Sequence, residues 1–572
     1  MGRWTRRFLY FCLKATLLFA FIGGTVAWWY HSPRIERIPE RAILDISIGG
    51  PLPEGKTLEH YILSLLRGGD SAPLSGQYIE SLWKAVEDPR IVGVFVSISD
   101  LGPTCVQAQE LREVFLALRA RNKPVWVYGS DLTTNAYYCA SSATRIYLSR
   151  GGLCAPTGFC LTPFFMREGL DKLGVEPFVL QRKEYKDFVE MFVRQGSSEE
   201  SKEAYTQILA GLKKQLEEAL TQDGKVGKAA DFVDRAPYSA EEAHKLGAVQ
   251  ELCSSAKECR SAFKKSLEKN EKQPKCLGIC SYLAAYRQYD SASYPEVAVL
   301  YLNGRISDAG GDDDAIDPGA LQESLKRAGK DVTVKGIVLR VNSPGGTLIG
   351  SELLASIVAA ARKKYGKPIV VSMGSVAASG GYWISAPADA IVANAATFTG
   401  SIGVGMVFFS TQELMKKLGL AWEVFASHKN ADHQVSTRPL SEHARERFTT
   451  IIDAEYDLFL RHVAHCRKLS AEEVGAIAKG RVWLGEKACE LRLVDKVGGL
   501  HTAVQEVCQR AKIAHVDKVS WWHMTEAEAG IWRICKALSS GRISLSSYAY
   551  KLLCSSLPTH PTLMAMDPLP VP

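Results

Sequence analysis

Histidine is missing where a serine-based site would first call for it. The chain has 12 histidines in 572 residues, yet the stretch "SMGSVAASGGYW", Ser372 to Trp383, holds Ser379 among residues of almost no bulk and contains none. A histidine-based triad is therefore not offered locally, and any base must come from elsewhere. Also absent is a dense Lys/Arg tract with interleaved aromatics: 69 basic residues face 62 acidic ones, they are dispersed, and the net charge is +7. This balance excludes nucleic acid from the expected partners. The 14 cysteines form no paired CxxC units, which excludes the zinc-ribbon class. Cys253 with Cys259, and Cys276 with Cys280, are spaced for local disulfides in an oxidising compartment, or stand as free buried thiols. "HVAHC", His462 to Cys466, puts two histidines three apart on a helical pattern without further ligands, so a packed helix face is expected there and no metal.

What is present is length and order. A chain of 572 residues, 46% hydrophobic and 23% charged, is too long for one core and implies two or three domains. At the N-terminus, "FLYFCLKATLLFAFIGGTVAWWY", Phe8 to Tyr30, is apolar apart from Lys14 and two threonines. As a helix it would span about 34 Å at 1.5 Å per residue, enough for a hydrocarbon core of about 30 Å. Arg3, Arg6 and Arg7 precede it, and Trp28, Trp29 and Tyr30 suit the far interface. The positive-inside rule then places the remainder of the chain on the non-cytoplasmic side. A cleaved signal peptide is the competing reading; the length of the run and the indifferent "TVA" favour an uncleaved anchor over residues 1–34.

Beyond the anchor one architecture is written twice. "VKGIVLRVNSPGG", "SELLASIVAAARKKYG" and "KPIVVSMG" read as strand, helix, strand, the signature of a right-handed crossover in a parallel sheet. "IVGVFVSISDLGP", "AQELREVFLALRARN" and "KPVWVYGS" repeat the order. Gly93 matches Gly336 at an offset of 243 (336 − 93), and Lys123 matches Lys367 at 244 (367 − 123). Farther on, "DKLGVEPFVL" echoes "KKLGLAWEVF". So constant an offset indicates a tandem duplication. The expected domains are a first repeat at 35–266, a connector at 267–296, a second repeat at 297–515, and a C-terminal extension at 516–572 that is partly loose where proline accumulates.

The two copies differ where chemistry would sit. "NSPGG", Asn342 to Gly346, corresponds to "SDLGP", and "SVAASGGYW" to "DLTTNAYYC". Asn135 thus takes the place of Ser379, and Pro103, which has no N–H, the place of Gly346. Only the second copy retains both a hydroxyl and a backbone donor. Taken alone, Ser379 is also compatible with a helix cap, Ser401 with an ordinary turn residue, and Lys186 with a solvated lysine beside Arg182 and Lys183.

In order along the chain, "EYKDFV", "NSPGG", "AASGGYW" and "TGSIGV" resemble the motifs of the protease IV, or signal peptide peptidase A, family in its long, duplicated, membrane-anchored form. The resemblance implies an α/β fold of tandem Clp-protease/crotonase-like repeats after an N-terminal transmembrane helix. It implies a Ser–Lys dyad, with Ser379 as nucleophile, Lys186 from the first copy as general base, and Ser401 orienting that lysine. Gly346 and Gly380 are then the oxyanion-hole donors. The second copy has Ala431 at the position of Lys186, so each copy keeps one half of the dyad. A lysine is about one part in a thousand neutral at pH 7 when unperturbed, and desolvation against Phe188, Val189 and Phe192 is expected to depress it. The resemblance further implies a serine endopeptidase of the inner membrane facing the periplasm, acting on cleaved signal peptides and other apolar peptides beside the lipid bilayer. It implies a homo-oligomer, a tetramer, without cofactor or metal. A catalytically inactive peptide-binding membrane scaffold is the alternative, and acyl-CoA chemistry at "NSPGG" a third reading that an exported location disfavours.

Overall fold

The computed structural model describes residues 36–55, 72–99, 101–269, 272–289, 295–308, 315–433 and 435–525. The expected membrane anchor, Phe8 to Tyr30, lies outside them. Among the described residues no helix is long and apolar enough to cross a membrane.

Near-continuous Val/Ile runs form strands that are buried on both faces, as parallel sheets require. In the first repeat the strand order is Lys275–Gly278, Ala42–Ile48, Ile91–Ile98, Val125–Gly129, Arg145–Ser149, Glu251–Cys253, parallel throughout. In the second it is Ser520–Met524, Glu296–Asn303, Val334–Ser343, Ile369–Ala378, again parallel. There the sheet forks. Val370 to Met373 pair with Ala390–Ala393, whereas Val376 to Ala378 pair with Phe398–Gly400. The fork carries the end of the strand out of the sheet and delivers Ser379 to its rim.

The duplication extends to the fork. Thr133 pairs with Ala155 in the first repeat as Ala377 pairs with Thr399 in the second, both displaced by 244 (377 − 133, 399 − 155). It also extends to the edge strands: Lys275 and Ser520 begin equivalent strands 245 apart (520 − 275). The segment expected as a connector therefore contains a strand of the first sheet and a helix, Ile279–Tyr289, that buries Ile279, Tyr282, Leu283 and Ala285. Likewise, the start of the expected C-terminal extension is the outer strand of the second sheet. His523 fastens it, with Nε2 2.9 Å from Glu80 Oε2 and Nδ1 2.8 Å from the Tyr301 hydroxyl.

Several further contacts join the repeats, among them the following. Glu176–Arg182 of the first repeat pairs antiparallel with Val404–Ser410 of the second. The long helix Glu199–Asp223 lays Ile208 and Leu212 against Ala396 and Leu484. Arg340 of the second repeat is fully buried and bridges Glu54 and Glu110 of the first, at 2.9 and 3.0 Å. Burial alone would raise the Glu54 carboxyl, but the Arg340 guanidinium outweighs it and holds the group below its ordinary range.

Candidate active site

Ser379 follows the strand Ile369–Ala378 and precedes the short helix Gly380–Ser385. Its backbone sits at φ 54°, ψ −118°, a conformation that costs a non-glycine residue of the order of 1–3 kcal/mol. Hydrogen bonds on both sides impose it: its N–H donates to the Gly400 carbonyl, and its own carbonyl accepts from Trp383 N–H, each at 2.9 Å. Small neighbours are obligatory. A Cβ at Gly381 would lie 2.5 Å from the Ser343 carbonyl, and one at Gly345 would lie 2.7 Å from Gly380 N.

The first repeat supplies an amine to this serine. Lys186 immediately follows the ribbon strand Glu176–Arg182 and a short bend, and only 6% of it is exposed. Its Nζ lies 3.0 Å from Ser379 Oγ, 2.9 Å from Ser401 Oγ and 3.0 Å from the Ser401 carbonyl. A neutral amine has two N–H groups and one lone pair. The two oxygens of Ser401 take the donors, and the lone pair is left for the Ser379 hydroxyl proton. Among the described residues no carboxylate forms an ion pair with Lys186. Asp187, next in sequence, instead accepts from the Tyr205 hydroxyl at 2.5 Å. Burial lowers the Lys186 amine from 10.5 to about 8, against a smaller opposing pull from the Asp187 charge.

Val189 is fully buried and the Phe188 ring lies 5.8 Å from the amine, but Phe192 packs edge-on against Phe409 at 5.3 Å. The second repeat also closes on the backbone around Lys186. Tyr185 N–H donates to the Lys479 carbonyl at 3.1 Å, Ser401 N–H to the Arg481 carbonyl at 2.7 Å, and Gly480 N–H to the Ile402 carbonyl at 2.8 Å. Gly480 has φ 81°, and a Cβ there would meet Lys186 Cβ at 2.7 Å. Nothing in the sequence marks this segment. A lone glycine in "AKGRVW" carries no signal until its left-handed backbone is seen.

The "NSPGG" turn reaches Ser379: a Cβ at Gly345 would lie 2.8 Å from Ser379 Cβ. Ile306 bridges in parallel to Gly346, donating to the Gly345 carbonyl and accepting from Thr347 N–H. That pattern turns the N–H of Gly346 itself away from Ile306. Among the described residues neither Gly346 N–H nor Gly380 N–H has an acceptor. The turn is fixed by Ser343, whose Oγ accepts from Gly345 N–H at 3.2 Å.

Elsewhere the reserved alternatives resolve simply. His462 stacks on Trp383 at 4.5 Å and contacts its carbonyl oxygen at 3.0 Å; it is a packed helix residue, and the described residues contain no cluster able to hold a metal. Cys253, Cys259 and Cys276 are in no disulfide. In the first copy, Asn135 stands at the serine position with a buried Oδ1 that has no hydrogen-bond partner, and Ala431 of the second copy lies in an exposed turn.

Two parallel-sheet units of one design, with a polar cluster made between them, describe a duplicated α/β peptidase. The model of peptidase family S49 matches residues 117–268 and 361–514, one match in each repeat. The chain belongs to that family, in its duplicated form, as the motif resemblance implied. It is 30% identical to "Protease 4" of Salmonella typhi across 91% of this chain and 87% of that protein. To "Serine protease SPPA, chloroplastic" of Arabidopsis thaliana it is 26% identical across 94% of this chain and 77% of the relative. Among solved structures, a mutant of ClpP1 from Listeria monocytogenes aligns with 36% of this chain and 93% of its own, at 13% identity and a TM-score of 0.24.

Proposed function

We propose that this peptidase is a membrane-anchored serine endopeptidase that works through a Ser–Lys dyad, with Ser379 as nucleophile and Lys186 as general base. The observation that carries the reading is the 3.0 Å approach of Lys186 Nζ to Ser379 Oγ, made by an amine that burial lowers to about 8. The neutral amine takes the hydroxyl proton as Oγ attacks the scissile carbonyl, and returns it to the leaving amine as the acyl-enzyme forms. The same amine then deprotonates the water that releases the acyl group. Ser401 accepts both remaining N–H groups and so points the lone pair at Ser379. The N–H groups of Gly346 and Gly380 stabilise the oxyanion; loss of one such donor typically costs about 10²–10³ in rate.

The substrates in this reading are cleaved signal peptides and other apolar peptides. The N-terminal apolar segment holds the enzyme in the inner membrane with the dyad on the periplasmic side, and several copies assemble. Ser379→Ala is expected to abolish hydrolysis of an apolar peptide and labelling by a fluorophosphonate, while Lys186→Ala costs about 10²–10⁴ in rate, the usual contribution of a general base. Undiminished turnover in either folded variant would reject its assignment. A wild-type protein that never labels and never cleaves would be the peptide-binding scaffold instead.

A further inference from the structure

Lys186 sits between two residues that a single helix holds. Tyr185, before it in sequence, donates its hydroxyl to Glu203 Oε2 at 2.9 Å, and Asp187, after it, accepts from the Tyr205 hydroxyl at 2.5 Å. Glu203 and Tyr205 both belong to the helix Glu199–Asp223. Glu203 Oε1 also accepts from Arg481 of the second repeat at 2.9 Å, and the Arg481 guanidinium lies 4.6 Å from the centre of the Tyr185 ring. Arg481 is the residue whose carbonyl accepts from Ser401 N–H. One helix thus ties down both neighbours of the amine and, through Arg481, the serine that receives its N–H groups.

The two ties differ in kind. The bond between Tyr185 and Glu203 is exposed and fixes the course of the chain, whereas the more buried one at Asp187 holds a charge. A carboxylate next in sequence to a buried lysine is a natural ion-pair partner for it. An opposite charge within about 4–6 Å favours the charged form by about 1–3 units, which would leave the amine protonated and useless as a base at neutral pH. The Asp187 charge already pulls the Lys186 amine upward, though less than burial pulls it down. Burial raises the Asp187 carboxyl above its ordinary range; the bond from Tyr205 is the largest influence opposing this, the Glu190 charge adds to the rise, and Lys186 opposes it weakly. Other charges at the loop are engaged elsewhere. Glu190 accepts from Ser198 N–H at 3.1 Å, Glu184 pairs with Lys479 at 3.8 Å, Arg182 pairs with Asp453 at 2.5 Å, and Lys183 is exposed.

We propose that Tyr205 is a positioning residue of the dyad: its hydroxyl holds the Asp187 carboxylate against the helix Glu199–Asp223, and so withholds from Lys186 a neighbouring anion that would otherwise pair with it. The inference rests on the Ser379–Lys186 reading and extends it to the ionisation of the base. Without the hydroxyl, the carboxylate turns to the amine as its next donor, and the lysine proton is held more tightly. With an amide in place of the carboxylate, the geometry at Tyr205 is kept and the upward pull on the amine is lost. The two changes therefore act on Lys186 with opposite signs.

The test is the pH dependence of kcat/KM toward an apolar peptide, measured on the detergent-solubilised full chain. In the parent the rate is expected to rise through an ionisation near pH 8. In Tyr205→Phe the midpoint should move up by about one unit or more, with turnover at pH 7 lower by about tenfold and recovered above the new midpoint. In Asp187→Asn it should move below that of the parent. Asp187→Asn combined with Tyr205→Phe should follow Asp187→Asn alone, because the hydroxyl acts through the carboxylate. The rate at which a fluorophosphonate labels Ser379 should shift with pH in the same way. An unshifted midpoint in Tyr205→Phe, or a loss of rate equal at every pH, would overturn the proposal, as would a double variant whose midpoint lies above that of the parent. Turnover retained in Lys186→Ala would remove the dyad and this inference together. Turnover lost in Lys186→Ala beside an unshifted Tyr205→Phe would remove this inference and leave the dyad standing.

Discussion

In the proposed dyad, Lys186 acts through its dryness. In the unfolded chain its amine has its ordinary value of 10.5, and in the fold about 8. Between those values the unfolded state holds more protons, so stability rises with pH across the window. Below it, the fold bears a full cost of roughly 3 kcal/mol at 1.36 kcal/mol per unit. Two consequences can be measured. Turnover is expected to rise through a single ionisation near pH 8, because only the neutral amine accepts the Ser379 proton. The stability of Lys186→Met relative to the parent, followed by urea unfolding, is expected to fall by up to roughly 3 kcal/mol between neutral pH and pH above about 10.5, since only the parent gains from deprotonation. A pH-independent difference would mean that the amine is not depressed by the fold.

At the scale of elements, the segment Lys479–Arg481 decides where the amine lies, although it holds no reacting group. A Cβ on Gly480 would press on the Lys186 main chain at 2.7 Å, and φ 81° adds strain. Gly480→Ala is therefore expected to lower kcat by at least about tenfold, a loss of roughly 1.4 kcal/mol of transition-state stabilisation. Labelling of Ser379 should slow in parallel while circular dichroism stays unchanged. Kinetics equal to wild type would show that the segment gives way freely. The parallel cores were legible because "VKGIVLRV" and "IVGVFVSI" are apolar runs followed at fixed spacing by Lys-Pro and a second run. The serine of the candidate site was legible because the copies diverge at Ser379 and Asn135, whereas only the motif resemblance picked Lys186 out from Arg182 and Lys183 beside it. The edge strands were not. Lys275–Gly278, "KCLG", is a short, partly exposed run with no alternation, and only docking on Ala42–Ile48 makes it a strand. The ribbon between Glu176–Arg182 and Val404–Ser410 was equally hidden, since no local pattern says which distant edge a strand will meet.

For the whole molecule, the orientation of the repeats depends on buried charge as much as on apolar area. Arg340 is wholly buried between Glu54 and Glu110, and also donates to Ser372 Oγ at 3.0 Å. Removing one partner from such a cluster leaves the others uncompensated and typically costs about 3–5 kcal/mol. Arg340→Met is expected to lower the unfolding free energy by that amount in denaturant titration. Because the cluster spans the junction, turnover should fall at denaturant concentrations below those that unfold either repeat. A change below about 1 kcal/mol would place the cluster among contacts that merely coexist with the fold.

An amine from the front half of the polypeptide and a hydroxyl from the back half have a consequence in time. During synthesis the first repeat emerges with a base and nothing to deprotonate. The serine arrives about two hundred residues later, and the glycine that seats the amine about a hundred after that. If the proposed dyad is right, the growing chain is harmless to its neighbours until it is almost finished, and a fragment truncated before Ser379 is born without a working blade.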